Sequence, residues 1–473
     1  MNEIMKIRIK TFLLLLCFYC LVNYQSSGQS ERGNKPNIVF ILVDDLGYSD
    51  LGYMKQKKGI LTPNIDRLAG NGMVFTHAYA AAPVCSPTRA SLMTGKSPAA
   101  LKITCHIPGM GMKPYVAKFN AGMKMKEAFF LDHLPPAEVT IAEVLKAEGY
   151  STGFIGKWHL AGEGSEATPD GIVNADFHPD KQGFDINIGG CSYGQPRSYF
   201  SPFKNGTLPD GEAGEYLTDR LGDEAVNFIT QNKDRPFFLN LATYTVHTPL
   251  QAPEENLNKF SGNKYYAMID KLDQNVGKVL HALEKLHLKE NTMVIFYSDN
   301  GGLWGNPPLR NNKGSLFEGG IRVPLIISWP GHIPKGRISE VPVTTVDFFP
   351  TIMQVATVRA PRPPYLEGQS LWPLLSGKEK TQNRALYWHF PHHRKDTELA
   401  MAAAIREGDW KLIKEFESEV IHLFNLRTDI NESINLAEKF PRRAKNLLSK
   451  LEKWQQQVSA ELPEPNLNNQ VVK

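Results

Sequence analysis

The chain has 473 residues, 42% of them hydrophobic and 22% charged, proportions ordinary for a folded globular protein that exclude a disordered or fibrous chain. The 53 basic and 49 acidic side chains leave a formal charge of +4 with no polybasic tract, which argues against nucleic acid as a partner. The length suits about two or three average domains, or one large α/β core with a smaller appendage.

At the N-terminus, Lys6, Arg8 and Lys10 precede the apolar run TFLLLLCFYCLV, and Ser26, Ser27 and Gly28 supply small residues for a signal peptidase. Residues 1–28 therefore read as a cleaved export signal, with the periplasm or secretion as the destination. The run is short for a bilayer span, so no membrane insertion is expected after cleavage. Cys17 and Cys20 lie inside the run with no small residues before them, which gives a lipid-anchored cysteine little support. Removing the segment leaves Cys85, Cys105 and Cys191. An odd count excludes a disulfide scaffold and leaves at least one thiol unpaired or put to another use.

From Lys35 onward, apolar strands alternate with amphipathic helices. NIVFILV (Asn37–Val43) is a near-continuous apolar run, the signature of a strand buried on both faces of a parallel sheet. TPNIDRLAGNG predicts a helix with Thr62 as N-cap, Pro63 at the first position and Gly70 near its end. TIAEVLKAEG predicts another, opened by a Thr140–Glu143 capping box and stopped by Gly149, and it feeds the short strand STGFIG. RPFFLNLA reads as a strand, and the long helix after it carries Ile269, Leu272, Val276, Val279, Leu280 and Leu283 on one face. MVIFY (Met293–Tyr297) and VPLIISW complete the set of strands. The alternation predicts an α/β fold with a large, mostly parallel central sheet and helices on both faces. Past a boundary near Gly377, LYWHFP, AAIREGDWKLIKEFE and IHLFNL predict a small antiparallel sheet, followed by a helix from about Arg442 to Val458. The expected organisation is a large domain over 36–377 and a C-terminal α+β subdomain over 378–465.

Ligands of open α/β sheets bind at the carboxyl ends of the strands. NIVFILV ends in Asp44 and Asp45; MVIFY runs to Asp299 and Asn300; STGFIG leads to Lys157 and His159; PFFLNLA runs on to His247. Adjacent carboxylates repel unless a cation or proton lies between them, so a hard divalent cation is the natural occupant, calcium or magnesium rather than zinc. Arg310 and Lys313 lie in the glycine-rich RNNKGSLFEGGIRVP. A cation, fixed positive side chains and two histidines able to move protons suit a tetrahedral oxyanion ester, phosphate or sulfate. Cys85, in AAPVCSPTRASLMTG, could by itself be half of a disulfide, a buried thiol or a reactive group.

CSPTRASLMTG carries the pattern CxPxR, and VDDLG, GKWH, SDNGG and KGSLFEGGIRVP accompany it. Together, from about Pro36 to beyond Asn425, they resemble the type I, formylglycine-dependent sulfatases, a family of alkaline phosphatase-like fold. The resemblance implies that Cys85 is oxidised by a formylglycine-generating enzyme. It implies metal ligation by Asp44, Asp45, Asp299, Asn300 and the Cys85-derived group, with Arg89 holding the aldehyde hydrate and Lys157 and Lys313 gripping the sulfate. His159 would serve the hydrate, and His247 with Lys313 the departing alcohol. A sulfated carbohydrate is the expected substrate: a marine polysaccharide such as ulvan or carrageenan, or a host glycosaminoglycan or mucin. His106, Trp304, Arg310 and His389 are candidates to line its pocket. A phosphate or phosphonate ester hydrolase of the same superfamily and a non-catalytic, metal-dependent glycan-binding protein are the competing readings.

Overall fold

The computed structural model describes residues 35–162, 174–359, 365–378, 384–394, 397–399 and 401–467. The proposed export signal lies outside them.

β1 (Asn37–Val43) explains why its sequence does not alternate. Ile38, Phe40 and Leu42 belong to one buried cluster, and Val39, Ile41 and Val43 to another on the opposite face of the sheet. Both faces are dry, so every position is apolar.

α1 (Pro63–Gly70) starts with proline at its first position, as expected. Thr62 precedes it but does not cap it: the hydroxyl donates to Asp66 Oδ1 at 2.8 Å and accepts from the Gly52 N–H at 2.8 Å. The short strand β2 (Met73–Phe75) follows, then α2 (Cys85–Thr94). α3 (Ile141–Ala147) opens on the predicted capping box, with Glu143 N–H donating to Thr140 Oγ1 and Thr140 N–H to Glu143 Oε2. β3 (Ser151–Gly156), β4 (Ile186–Ile188), α4 (Leu217–Gln231) and β5 (Phe237–Ala242) lead to α5 (Lys264–Lys285). α5 buries Ile269, Leu272, Val276, Val279 and Leu283. β6 (Thr292–Ser298), β7 (Leu325–Ser328) and β8 (Arg337–Ser339) complete an eight-stranded sheet in the order β8-β2-β7-β6-β1-β5-β3-β4. β7 runs antiparallel to both its neighbours; the other pairings are parallel.

The C-terminal strands β9 (Ala385–Phe390), β10 (Ala402–Glu407), β11 (Trp410–Glu415) and β12 (Ile421–Asn425) form a second, wholly antiparallel sheet, followed by α6 (Pro441–Gln457). One face packs Ile405, Leu412 and Leu423 under Leu447, Leu451 and Trp454 of α6. The other packs Ala404, Ile413 and Phe424 against Tyr79, Val84 and Leu316. Val84 and Leu316 flank Cys85 and Lys313 in sequence, so this sheet buttresses the segments that carry both. Residues from Asn37 onward form one compact unit. None of the described helices is long and apolar enough to cross a membrane.

A buried ion network lies between the two sheets. Lys411 Nζ is 2.9 Å from both Glu318 Oε1 and Glu432 Oε1, with all three side chains fully buried. Burial pushes Glu318 up, but Lys411, Arg322 and Arg406 outweigh it and hold the carboxyl down to about 2. Removing one partner of such a network strands the others in a medium of low polarity. Lys411→Met is expected to cost about 3–5 kcal/mol, read as a fall in the urea midpoint. An unchanged midpoint would show that the network contributes little.

Candidate active site

Strand register brings the chemistry to one edge. Val43 of β1 pairs with Ser298 of β6, so Asp44 and Asp299 leave the sheet side by side. Leu42 pairs with Ala242 of β5, and Ala242 with Gly156 of β3, so Lys157 leaves at the same level. Gly156 has φ +107°, and a Cβ there would lie 1.9 Å from Ala242 O. Only glycine makes this turn, which aims Lys157 inward. Asp45 and His159 adopt left-handed backbone at φ 61° and 60°, a cost of about 1–2 kcal/mol each for residues with a Cβ. Strain of this kind persists where the surrounding structure over-determines it. Cys85 opens α2 and Arg89 lies four residues on, which places both on one helical face.

Three carboxylates and three cations interlock here, nearly all buried. Lys157 Nζ lies 2.7 Å from Asp44 Oδ2, and Lys313 Nζ 2.5 Å from Asp45 Oδ1. Arg89 holds Asp299 Oδ2 through Nε at 2.9 Å and Nη2 at 2.7 Å, and its Nη1 donates to Lys157 O at 2.6 Å. Asn300 Nδ2 donates to Asp45 Oδ1 at 2.7 Å, and Lys313 Nζ is 3.9 Å from Cys85 Sγ. Burial drives the Asp44 carboxyl up to about 8 despite Lys157, with Asp299 and Asp45 adding repulsion. Burial also raises Asp45, but Lys313, His247 and Lys157 overcome it and hold that carboxyl well below the usual range. Lys313 is raised, Asp45 and Cys85 outweighing its burial.

Each histidine has its tautomer set by a carbonyl, which can only accept. His159 Nε2 donates to Ile107 O at 2.9 Å, leaving a buried Nδ1 without a partner. His247 Nδ1 donates to Thr248 O at 2.8 Å, so its Nε2, 3.6 Å from Asp45 Oδ2, carries the lone pair. Burial lowers both, His247 to about 3, so each is held neutral near neutral pH with its lone pair at the free nitrogen.

The donor set fits a hard cation. Asp44 Oδ1, Asp45 Oδ2 and Asn300 Oδ1 are buried without a hydrogen-bond partner, and such oxygens are costly unless something coordinates them. Ligand atoms of Asp44, Asp299 and Cys85 lie within 4.8 Å of one another. An oxygen-rich set of this kind suits calcium or magnesium.

A cavity of about 370 Å³ opens over this cluster and is lined by Cys85, His106, His159, His247 and Lys313. The structure thus brings together every residue read as metal-binding or catalytic, with His106 beside them. It does not bring Trp304, Arg310 or His389 to the cavity. Trp304 is half-exposed and packs edge-on against Tyr265. Arg310 is drawn away by Glu398 and by Glu432 O and stacks on Phe317. His389 is buried under α6, between Glu461 O and Gln455 Nε2. Conversely, Lys118, Arg197 and Arg394 line the cavity and have no counterpart in the sequence reading. Only the proximity of Arg394 to the end of a predicted strand could have signalled it. Cys85, Cys105 and Cys191 are all buried and unpaired.

Residues 36–358 match the Sulfatase family, and residues 311–460 match the C-terminal family named for N-sulphoglucosamine sulphohydrolase. A sulfatase of Formosa agariphila is 31% identical, covering 94% of each chain. The dog N-acetylgalactosamine-6-sulfatase is 32% identical over 79% of this chain and 71% of its own. A crystal structure of Ps i-CgsB in complex with k-i-k-neocarrahexaose is 33% identical, with a TM-score of 0.74, covering 89% of this chain and 92% of that one.

Proposed function

The chain belongs to the sulfatase family, sulfuric ester hydrolases of the alkaline phosphatase-like superfamily, and we propose that it desulfates poly- or oligosaccharides through a formylglycine made from Cys85. The observation that carries this reading is the position of Cys85, in the wall of a cavity, within reach of Lys313 and grouped with Asp44 and Asp299. The saccharide class is supported by the N-acetylgalactosamine sulfatase relative and by the neocarrahexaose complex of the structural neighbour.

Asp44, Asp45, Asp299 and Asn300 would hold the cation, which supplies Lewis acidity when bound. Lys157 and Lys313 act on the sulfate oxygens, where negative charge accumulates in the transition state. Arg89, locked on Asp299, orients the side chain at position 85. The Cys85-derived hydrate would supply an ionised hydroxyl as the nucleophile toward sulfur, and His247, raised and protonated at Nε2 by the negative charge of the bound ester, would with Lys313 give the departing alcohol its proton. His159 Nδ1, bare and buried, then accepts the proton of the second hydroxyl. Loss of that proton would let sulfate leave with return of the aldehyde, so that no water would have to attack sulfur. The apolar N-terminal segment is read as an export signal, which places this work in the periplasm or outside the cell.

The test is a combined one. Protein from a host able to modify CxPxR should show an aldehyde mass at position 85 and release sulfate from sulfated oligosaccharides. Chelation should abolish release, and calcium or magnesium should restore it. A free thiol throughout the sample would overturn the mechanism, and rescue by zinc alone would overturn the metal assignment.

A further inference from the structure

The charge of the cavity is one-sided. Lys313 is taken up by Asp45, and the remaining charged side chains that line the cavity are Lys118, Arg197 and Arg394, with no carboxylate among the lining residues described. In the proposed mechanism a single sulfate ester is met by Lys313 of the cavity lining and by Lys157, which is fully buried on Asp44. Lys118 and Arg394, facing the same space, are in excess of what that one group requires.

Arg394 is built into its position. The loop that carries it is tied down by Glu127, whose side chain is 1% exposed: Oε1 accepts from His393 N–H at 2.8 Å, and Oε2 is 3.3 Å from His392 Nδ1. The other nitrogen of His392 is 2.8 Å from Thr104 Oγ1, two residues before His106 of the cavity wall. The guanidinium rests against the backbone beside Lys313: a Cβ on Gly314 would lie 2.7 Å from Arg394 Nε. Glycine at 314, at φ +88°, therefore keeps the space that Arg394 fills. Among the described residues no carboxylate pairs with Arg394. After burial, Arg394 and Lys313 are the next causes holding His106 down to about 3, which reports a positive field in this part of the cavity. A planar guanidinium held this way suits bidentate recognition of a carboxylate or sulfate.

We propose that the saccharide bound in this cavity carries, besides the sulfate that is removed, a second anionic group, a sulfate or a carboxylate, which docks on Arg394, with Lys118 lining the same cavity. The proposal rests on the sulfatase reading and narrows its substrate class.

The experiment compares galactose and N-acetylhexosamine disaccharides in three forms: one sulfate, the same with a second sulfate on the neighbouring ring, and the same with a uronic acid as neighbour. Binding is measured on the full chain carrying Cys85→Ala, and turnover on the modified, unsubstituted chain. The dianionic forms should be favoured by about tenfold or more in Kd and kcat/KM. Whichever of them shows the preference identifies the second group as sulfate or carboxylate. Arg394→Met should bring the ratio of dianionic to monoanionic forms close to one, and Arg394→Lys should keep part of it. Because each ratio is measured within one protein, partial misfolding of a variant does not alter it. Equal binding of all forms, a ratio untouched by Arg394→Met, or no binding of any dianionic form at millimolar concentration overturns the proposal. Preferential binding with no sulfate released by the modified chain would sink the sulfatase reading and leave the anion site standing.

Discussion

Cys85→Ala is expected to fold and to melt close to the unsubstituted protein while losing sulfate-ester hydrolysis by about 10⁴-fold or more. The stability cost is small because the change removes one sulfur from a side chain that packs at the head of α2, on the order of 1 kcal/mol. On the proposed formylglycine mechanism the catalytic cost is large, because neither hydroxyl of the hydrate can form. Arg89, Lys157 and Lys313 keep their carboxylate partners, so binding of a sulfated saccharide should survive. Cys191→Ala is the control, since only its backbone carbonyl meets the site, accepting from His159 N–H at 3.2 Å. Melting temperature and turnover measured together decide the matter. Substantial turnover by Cys85→Ala, or unfolding as its main effect, would return Cys85 to a packing role.

Asp299→Ala should fail in a different way, losing turnover, cation affinity and stability together. Its carboxylate pairs with Arg89 through Oδ2 and accepts the Asp45 N–H on Oδ1 at 3.2 Å. Without it, a guanidinium only 2% exposed is left beside Asp44, with Oδ1 3.8 Å away. Breaking a buried pair from one side costs about 3–5 kcal/mol. Calcium titration of the purified variant, followed by melting with and without the ion, separates the contributions. The unsubstituted protein should gain stability as calcium saturates it, and Asp299→Ala should gain little. Calcium binding as tight as in the unsubstituted protein would remove Asp299 from the ligand set.

Much of this site was legible from local pattern because its residues sit where regular structure ends. A strand buried on both faces is a contiguous apolar run, and the first polar residues after it mark its carboxyl end. Asp44, Lys157 and Asp299 were found in that way, and Cys85 and Arg89 came from a compact motif on one helix. Whether those ends lie level is a matter of register between strands far apart in sequence, and here only the pairing of Val43 with Ser298 and of Ala242 with Gly156 decided it. The antiparallel course of β7 was likewise invisible, since an apolar run reads the same in either direction. The cavity walls were the least legible part. Arg310 and Arg394 are both arginines in loops near the site, yet Glu398 and Glu432 O draw the first away, while Glu127 and the space at Gly314 hold the second in place. Sequence by itself singled out the candidate groups, because strand ends and helix faces follow from neighbouring residues, and the resemblance to the sulfatases supplied the roles expected of them. Only the tertiary structure decided which loop cations face the cavity, because a long charged side chain goes to whichever partner the fold brings within reach.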